Sequence, residues 1–333
     1  MKRRFHNLSI YRIIATILII QFHVFFLTNV NALNNEYLLS KFMQGLTALS
    51  GFLYSQKIIS DYKGFYLTNF KKIAIPAIIS VLFMATWNLA AMFANSNFIY
   101  LSLFSGIRPY NGAFLLQFGN FYYIGYILLC YLITPLLQRG DKYSNIIIAL
   151  SIIIEIILAF FMGSSSIILS YILGYYIGRK SFEHYVDETK EFEVKRFLFW
   201  LGLLIATLGL FFVTRIYNFN EDYILKNLMN TINIFVSTIF GVATLFLFAY
   251  IFRFINKYRG NIKLLSYTDK LSYILYLFNQ CFMVGAMDVT IYFDNLFIDY
   301  VFIYGFTFIA SILTLTVYDL LFNKKKTKFI KGA

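Results

Sequence analysis

A polytopic, all-α membrane bundle is the fold class this sequence predicts, and three observations predict it. Hydrophobic residues make up 59% of the 333 positions and charged residues only 14%, where a soluble domain is about a quarter charged. The apolar residues gather into stretches of about 20, the length at which a helix crosses the hydrocarbon core of a bilayer. Between the stretches, basic residues are dense on alternate connections and sparse on the others, as in a chain that crosses repeatedly.

About ten stretches qualify as spans. The first, 8–29, is too long for a signal-peptide core and lacks a small-residue cleavage site, so it reads as a retained helix. The second and third cover 38–57 and 73–94, the latter entered through Lys71, Lys72 and Pro76. The rest fall at 120–138, 144–163, the short 165–178, 197–214, 230–252, 271–292 and 296–322. Residues 98–118 fit no span and read as a re-entrant or interfacial piece. From Ser181 to Arg196, five acids alternate with lysines, the pattern of a solvated loop. With no Pro/Gly/Ser linker, no repeat and no low-complexity segment, residues 1–333 are expected to form one membrane-embedded domain with a basic tail from 323.

Orientation follows from charge. Placing the amino terminus in the cytoplasm leaves only Lys41, Arg108, Arg215 and Lys226 on the far side, out of 29 Lys and Arg in all. The opposite orientation inverts that bias, so both termini are expected inside a cell membrane crossed many times. The net charge of +13 is then a topology signal and an attraction to the anionic inner leaflet, not a nucleic-acid footprint. Cys130 and Cys281 both lie in apolar segments, which argues against a disulfide framework. There is no HExxH, CxxC or phosphate-loop pattern, so no bound metal is expected.

The most informative pair lies in the first span. Arg12 and His23 are eleven residues apart, about three helical turns, which puts both on one face roughly 16 Å apart along the axis. A cation and an imidazole on one stripe of a membrane helix are costly and mark function by default. Geometry alone leaves a second reading open, in which Arg12 snorkels to the headgroups and His23 is a satisfied interior histidine. Glu155 is a lone carboxylate in the otherwise apolar fifth span, open to pairing with Arg12, orienting His23 or facing a wet cavity.

Further local patterns follow in order: Leu49-Ser50-Gly51-Phe52-Leu53, Lys71 to Pro76, Tyr171 to Gly178, and Ser272 to Leu277. Together with the Arg12–His23 spacing they resemble the acyltransferase-3 family, bacterial integral-membrane acyltransferases that modify hydroxyls of surface and secreted sugars. The resemblance runs over residues 7–322. It departs from the family pattern at Ser9, where an acid is frequent, and at Asn279, where a histidine is frequent. It implies transfer of an acyl group, acetyl by default and succinyl as the variant, from a cytoplasmic acyl-CoA to a sugar hydroxyl. His23 would then be the general base, because imidazole is matched to proton removal near neutral pH; an acyl-imidazole relay is the variant.

Arg12, near the cytoplasmic end, suits the phosphates of coenzyme A, as guanidinium binds phosphate bidentately. Lys71 and Lys72 would hold the nucleotide end, or else serve as ordinary positive-inside anchors. Ser50 and Gly51 could meet the thioester carbonyl and the pantetheine arm, or could be small-residue helix packing. The expected partners are acetyl-CoA, a carbohydrate acceptor, the bilayer and other polysaccharide-assembly proteins. A transporter or flippase using Arg12, His23 and Glu155 as a polar path is the rival, though no inverted repeat or paired broken helices point to it. A partner-binding membrane subunit is the third reading.

Overall fold

The computed structural model describes residues 5–27, 36–94, 101–102, 113–114, 122–162, 167–216, 223–257, 263–278 and 295–322. Its helices are α1 (His6–Leu27), α2 (Glu36–Ser40), α3 (Phe42–Tyr54), α4 (Tyr62–Ala94), α5 (Tyr122–Arg139) and α6 (Ser144–Met162). They continue with α7 (Ile168–Val186), α8 (Val194–Ile216), α9 (Tyr223–Ile251), α10 (Lys263–Phe278) and α11 (Leu296–Phe322). The fold is an all-α membrane bundle. In the region read as re-entrant, Leu101–Ser102 pairs in parallel with Ala113–Phe114; Arg108 lies outside the described residues. So do Asn279, Cys281 and the lysine tail from 323.

Each of the ten apolar stretches overlaps a helix, the ninth only at 271–278, its remainder lying outside the described residues. Among the described residues six helices are both long and apolar enough to span by themselves: α1, α4, α6, α8, α9 and α11. The others differ for a physical reason. With 13 residues, α3 is about 20 Å long, short of the roughly 30 Å hydrocarbon core. Nearly all of it is buried, from Met43 to Tyr54, so its surroundings are other helices rather than lipid. By contrast α6 and α8 expose most of their apolar side chains, as lipid-facing helices do. The third span also begins earlier than expected, since α4 is continuous from Tyr62 and carries Pro76 inside it. Lys71 and Lys72 therefore stand on the helix itself and not in a connection before it.

Contacts gather the helices into two compact units. The first comprises residues 1–18, 37–63 and 129–266. Its core is α3 laid against α7 and α9, with α6 and α8 packed on α9. Glycines make the close approach possible. A Cβ at Gly51 would run into the Tyr171 backbone, one at Gly174 into the Ala48 carbonyl, and one at Gly178 into Ser55. Gly45 and Gly241 meet in the same way across α3 and α9, the small-residue interface typical of membrane helices. Beside it, Phe52 stacks on Phe182 at 4.6 Å and meets Phe246 at 5.3 Å. Trp200 stacks on Phe246 at 5.1 Å and donates its indole N–H to Tyr185 Oη at 2.8 Å.

An asparagine pair closes one end of this unit. Asn7 Nδ2 donates to the carbonyls of Tyr185 (2.8 Å) and Ala249 (2.9 Å), while Asn256 Nδ2 donates to Asn7 Oδ1 and the Val186 carbonyl, both at 2.9 Å. Buried Arg253 donates to the carbonyls of His184, Lys190 and Glu191 at 3.1, 2.8 and 2.8 Å. The acidic stretch after Ser181 is helical at first and a solvated connection after that: α7 continues past a non-helical Ser181 to Val186, with Tyr185 and Val186 buried, and residues 189–195 are exposed.

The second unit comprises residues 19–36, 64–128 and 267–333. Leu271, Ile274 and Phe278 of α10 pack with Ala310 and Leu315 of α11 and with Phe83 of α4. The last turns of α1 join through Ile20 and Val24, which meet Ile303 of α11. Tyr304 Oη donates to Gln21 Oε1 at 2.6 Å. Pro76 deprives the preceding turn of α4 of a donor, and there Tyr273 Oη donates to the Ile73 carbonyl at 3.0 Å.

Candidate functional site

The site is built on α1. Its sequence contains no glycine or proline between His6 and Leu27 and folds as one unbroken helix. Asn7 anchors its start: besides the bonds above, its Oδ1 accepts from the Leu8 N–H at 2.9 Å, satisfying a donor the helix leaves open. At 100° per residue, Arg12, Thr16 and His23 fall within about 40° of arc. Thr16 (2% exposed) and His23 (7%) are buried, and Arg12 is half-buried. This is a polar stripe running down an apolar helix, where an unused polar group would be a penalty. Thr16 extends what Arg12 and His23 suggested; a threonine in a membrane helix gives little signal by itself.

Arg12 belongs to the first unit. Its guanidinium acts electrostatically on the phenol of Tyr54, which is hydrogen-bonded to Tyr131; the two rings lie 4.8 Å apart. Tyr54 was not singled out from the sequence, although it directly follows the Ser-Gly-Phe-Leu run. Ser50, half-buried on α3, donates to the Leu46 carbonyl at 3.2 Å. Gly51 is filled by the backbone of Tyr171 on α7. The Tyr171 to Gly178 pattern serves the same contact: Gly174 and Gly178 face α3, and Tyr171 Oη pairs with Thr134 Oγ1 at 2.6 Å. Glu155 is buried on α6 at 1% exposure, on the face that also carries Ala159.

His23 belongs to the second unit, with its ring 4.8 Å from Phe22. Lys71 and Lys72 are also in that unit, exposed on α4. Of the Ser272 to Leu277 pattern, Ser272 bonds back to Asp269 at 2.8 Å, and Tyr276 meets Tyr123 at 5.1 Å. A second buried acid, Asp299 (6% exposed), lies in the first turn of α11; its flanking Phe297 and Ile298 concealed it as part of a span.

A family model described as an acyltransferase domain, Acyl_transf_3, matches residues 5–316. The chain belongs to the acyltransferase-3 family. The match runs from the start of α1 into α11 and so takes in every residue described above. Neither a curated protein nor a solved structure gave a match. An acyltransferase-3 protein with these helices is a multi-pass membrane protein.

Proposed function

We propose that this acyltransferase-3 protein moves an acyl group, acetyl by default, from a cytoplasmic acyl-CoA to a hydroxyl of a cell-surface or secreted polysaccharide or its lipid-linked precursor. The supporting observation is the Arg12–Thr16–His23 stripe on one unbroken helix of a chain matched over residues 5–316. His23 acts as general base. As the acceptor oxygen attacks the thioester carbonyl, the imidazole takes the hydroxyl proton. The C–S bond then breaks, and the departing thiolate of coenzyme A receives that proton. A buried imidazole suits this step, because excluding water limits hydrolysis of the thioester.

Arg12, toward the cytoplasmic end of α1, binds donor phosphate, with both termini inside. Lys71 and Lys72, exposed on α4, take the second role the sequence offered them, positive-inside anchoring. Ser50 polarises the thioester carbonyl by leaving its bond to Leu46, while Gly51 serves the packing of α3 on Tyr171 of α7. The acceptor carbohydrate approaches from the outer side or as a lipid-linked intermediate delivered by other polysaccharide-assembly proteins. A transport reading is kept by Glu155, an acid buried in a membrane helix.

Acetyl-CoA turnover and radiolabel transfer to envelope glycans separate the two. Transfer is expected to disappear in His23→Ala, and Arg12→Ala is expected to need more donor, at matched membrane expression. Unchanged labelling in both variants, or none in the wild type, would move the assignment to transport.

A further inference from the structure

We propose that Tyr54, Lys57, Tyr62 and Arg139 form the subsite for the phosphorylated adenosine end of the acyl-CoA donor. The proposal rests on the acyltransferase reading above and concerns residues that reading does not use. All four belong to the first unit, as does Arg12, and they surround the connection from α3 to α4.

Two cations there lie on aromatic faces. Lys57 Nζ stands 3.8 Å from the centroid of Tyr54. The Arg139 guanidinium stands 4.9 Å from the centroid of Tyr62 and donates from Nε to Tyr62 Oη at 3.1 Å. The pairs are one patch, not two. Gln138, beside Arg139, accepts the Ile59 N–H at 3.2 Å, so the end of α5 holds the connection between Lys57 and Tyr62 in place. Lys57 and Arg139 are exposed, while Tyr54 is buried and also feels Arg12. Beside them Arg179 donates twice to Asp141 Oδ2 at 2.9 and 2.6 Å and to the Ser55 carbonyl at 3.3 Å, and an acid, Asp61, stands between Lys57 and Tyr62 in the chain.

Exposed cations stacked on phenols match a ligand that is both aromatic and polyanionic. A purine stacks on phenol and guanidinium planes, and its phosphates take the ammonium and guanidinium charge. The patch follows the Ser50–Leu53 run directly in the chain, so a donor held here has its nucleotide at the end of the helix that carries Ser50. Anionic lipid headgroups offer the phosphate without the purine, and the probes below separate the two sources.

The test is equilibrium binding of coenzyme A and of pantetheine to the full chain in nanodiscs, for wild type, Lys57→Gln, Arg139→Gln and Lys57→Arg. Each charge-removing variant is expected to weaken coenzyme A binding by about 10-fold, the value of a lost charge-assisted contact. Pantetheine binding should not move, and Lys57→Arg should restore affinity for coenzyme A. Coenzyme A affinity within about twofold of wild type in both charge-removing variants would overturn the subsite and leave the donor reading standing. An equal loss for pantetheine would also overturn it, as would variants that change only the binding of anionic-lipid vesicles. A wild type with no affinity for coenzyme A would overturn the donor reading itself.

Discussion

Asn7 and His23 show how differently two buried polar residues on one helix are used. Asn7 is fully satisfied by Tyr185, Ala249, Asn256 and Leu8, so it is a fastener. Replacing it by alanine strands the carbonyls it serves and is expected to destabilise the fold by on the order of 2–3 kcal/mol. Thermal unfolding in detergent would register this, and Asn7→Ala with Asn256→Ala should be markedly non-additive because each is the other's partner. His23→Ala should behave oppositely: transfer is lost while the unfolding midpoint stays close to wild type. A His23→Ala chain that unfolds early would instead make the histidine structural. The Arg12–His23 spacing was legible because helical periodicity is a local property. Tyr54 was not, since its value comes from Arg12 and Tyr131, which only folding brings to it.

Among the elements, α3 and α7 carry the sharpest contrast. Gly51 and Gly174 allow backbone to meet backbone, whereas Gly202 and Gly209 on α8 have open space around them. Gly51→Ala and Gly174→Ala are expected to destabilise by about 1–3 kcal/mol, the cost of overpacking a filled site. Gly202→Ala and Gly209→Ala should be neutral or stabilising by up to about 1 kcal/mol, since alanine favours the helix. Detergent unfolding curves of the four variants check this ordering. A Gly51→Ala protein that unfolds normally but loses donor affinity would give that glycine to the donor instead. Read from sequence, the two roles of Gly51 could not be separated, because a glycine carries no record of what fills its missing side chain.

At the scale of the whole molecule, the basic residues predict the orientation. In a cysteine-free background, a single cysteine at Lys226, exposed at the start of α9, should react with a membrane-impermeant thiol reagent in intact cells. One at Lys326 should react only after the membrane is opened; the reverse pattern would invert the topology. By itself the sequence determined the membrane class and the stripe on α1, because composition and period are written residue by residue. It drew α3 longer than the helix is and placed the start of α4 too late, since helix ends depend on neighbours as much as on hydropathy. Which helices are interior was decided only in three dimensions. The same apolar residues serve lipid on α6 and α8 and other helices on α3, and hydrophobicity does not distinguish the two solvents. The gathering of distant chain segments into two compact units was likewise decided by packing, because the glycine contacts, the asparagine clamp and the Arg139–Tyr62 contact exist only between residues far apart in the chain.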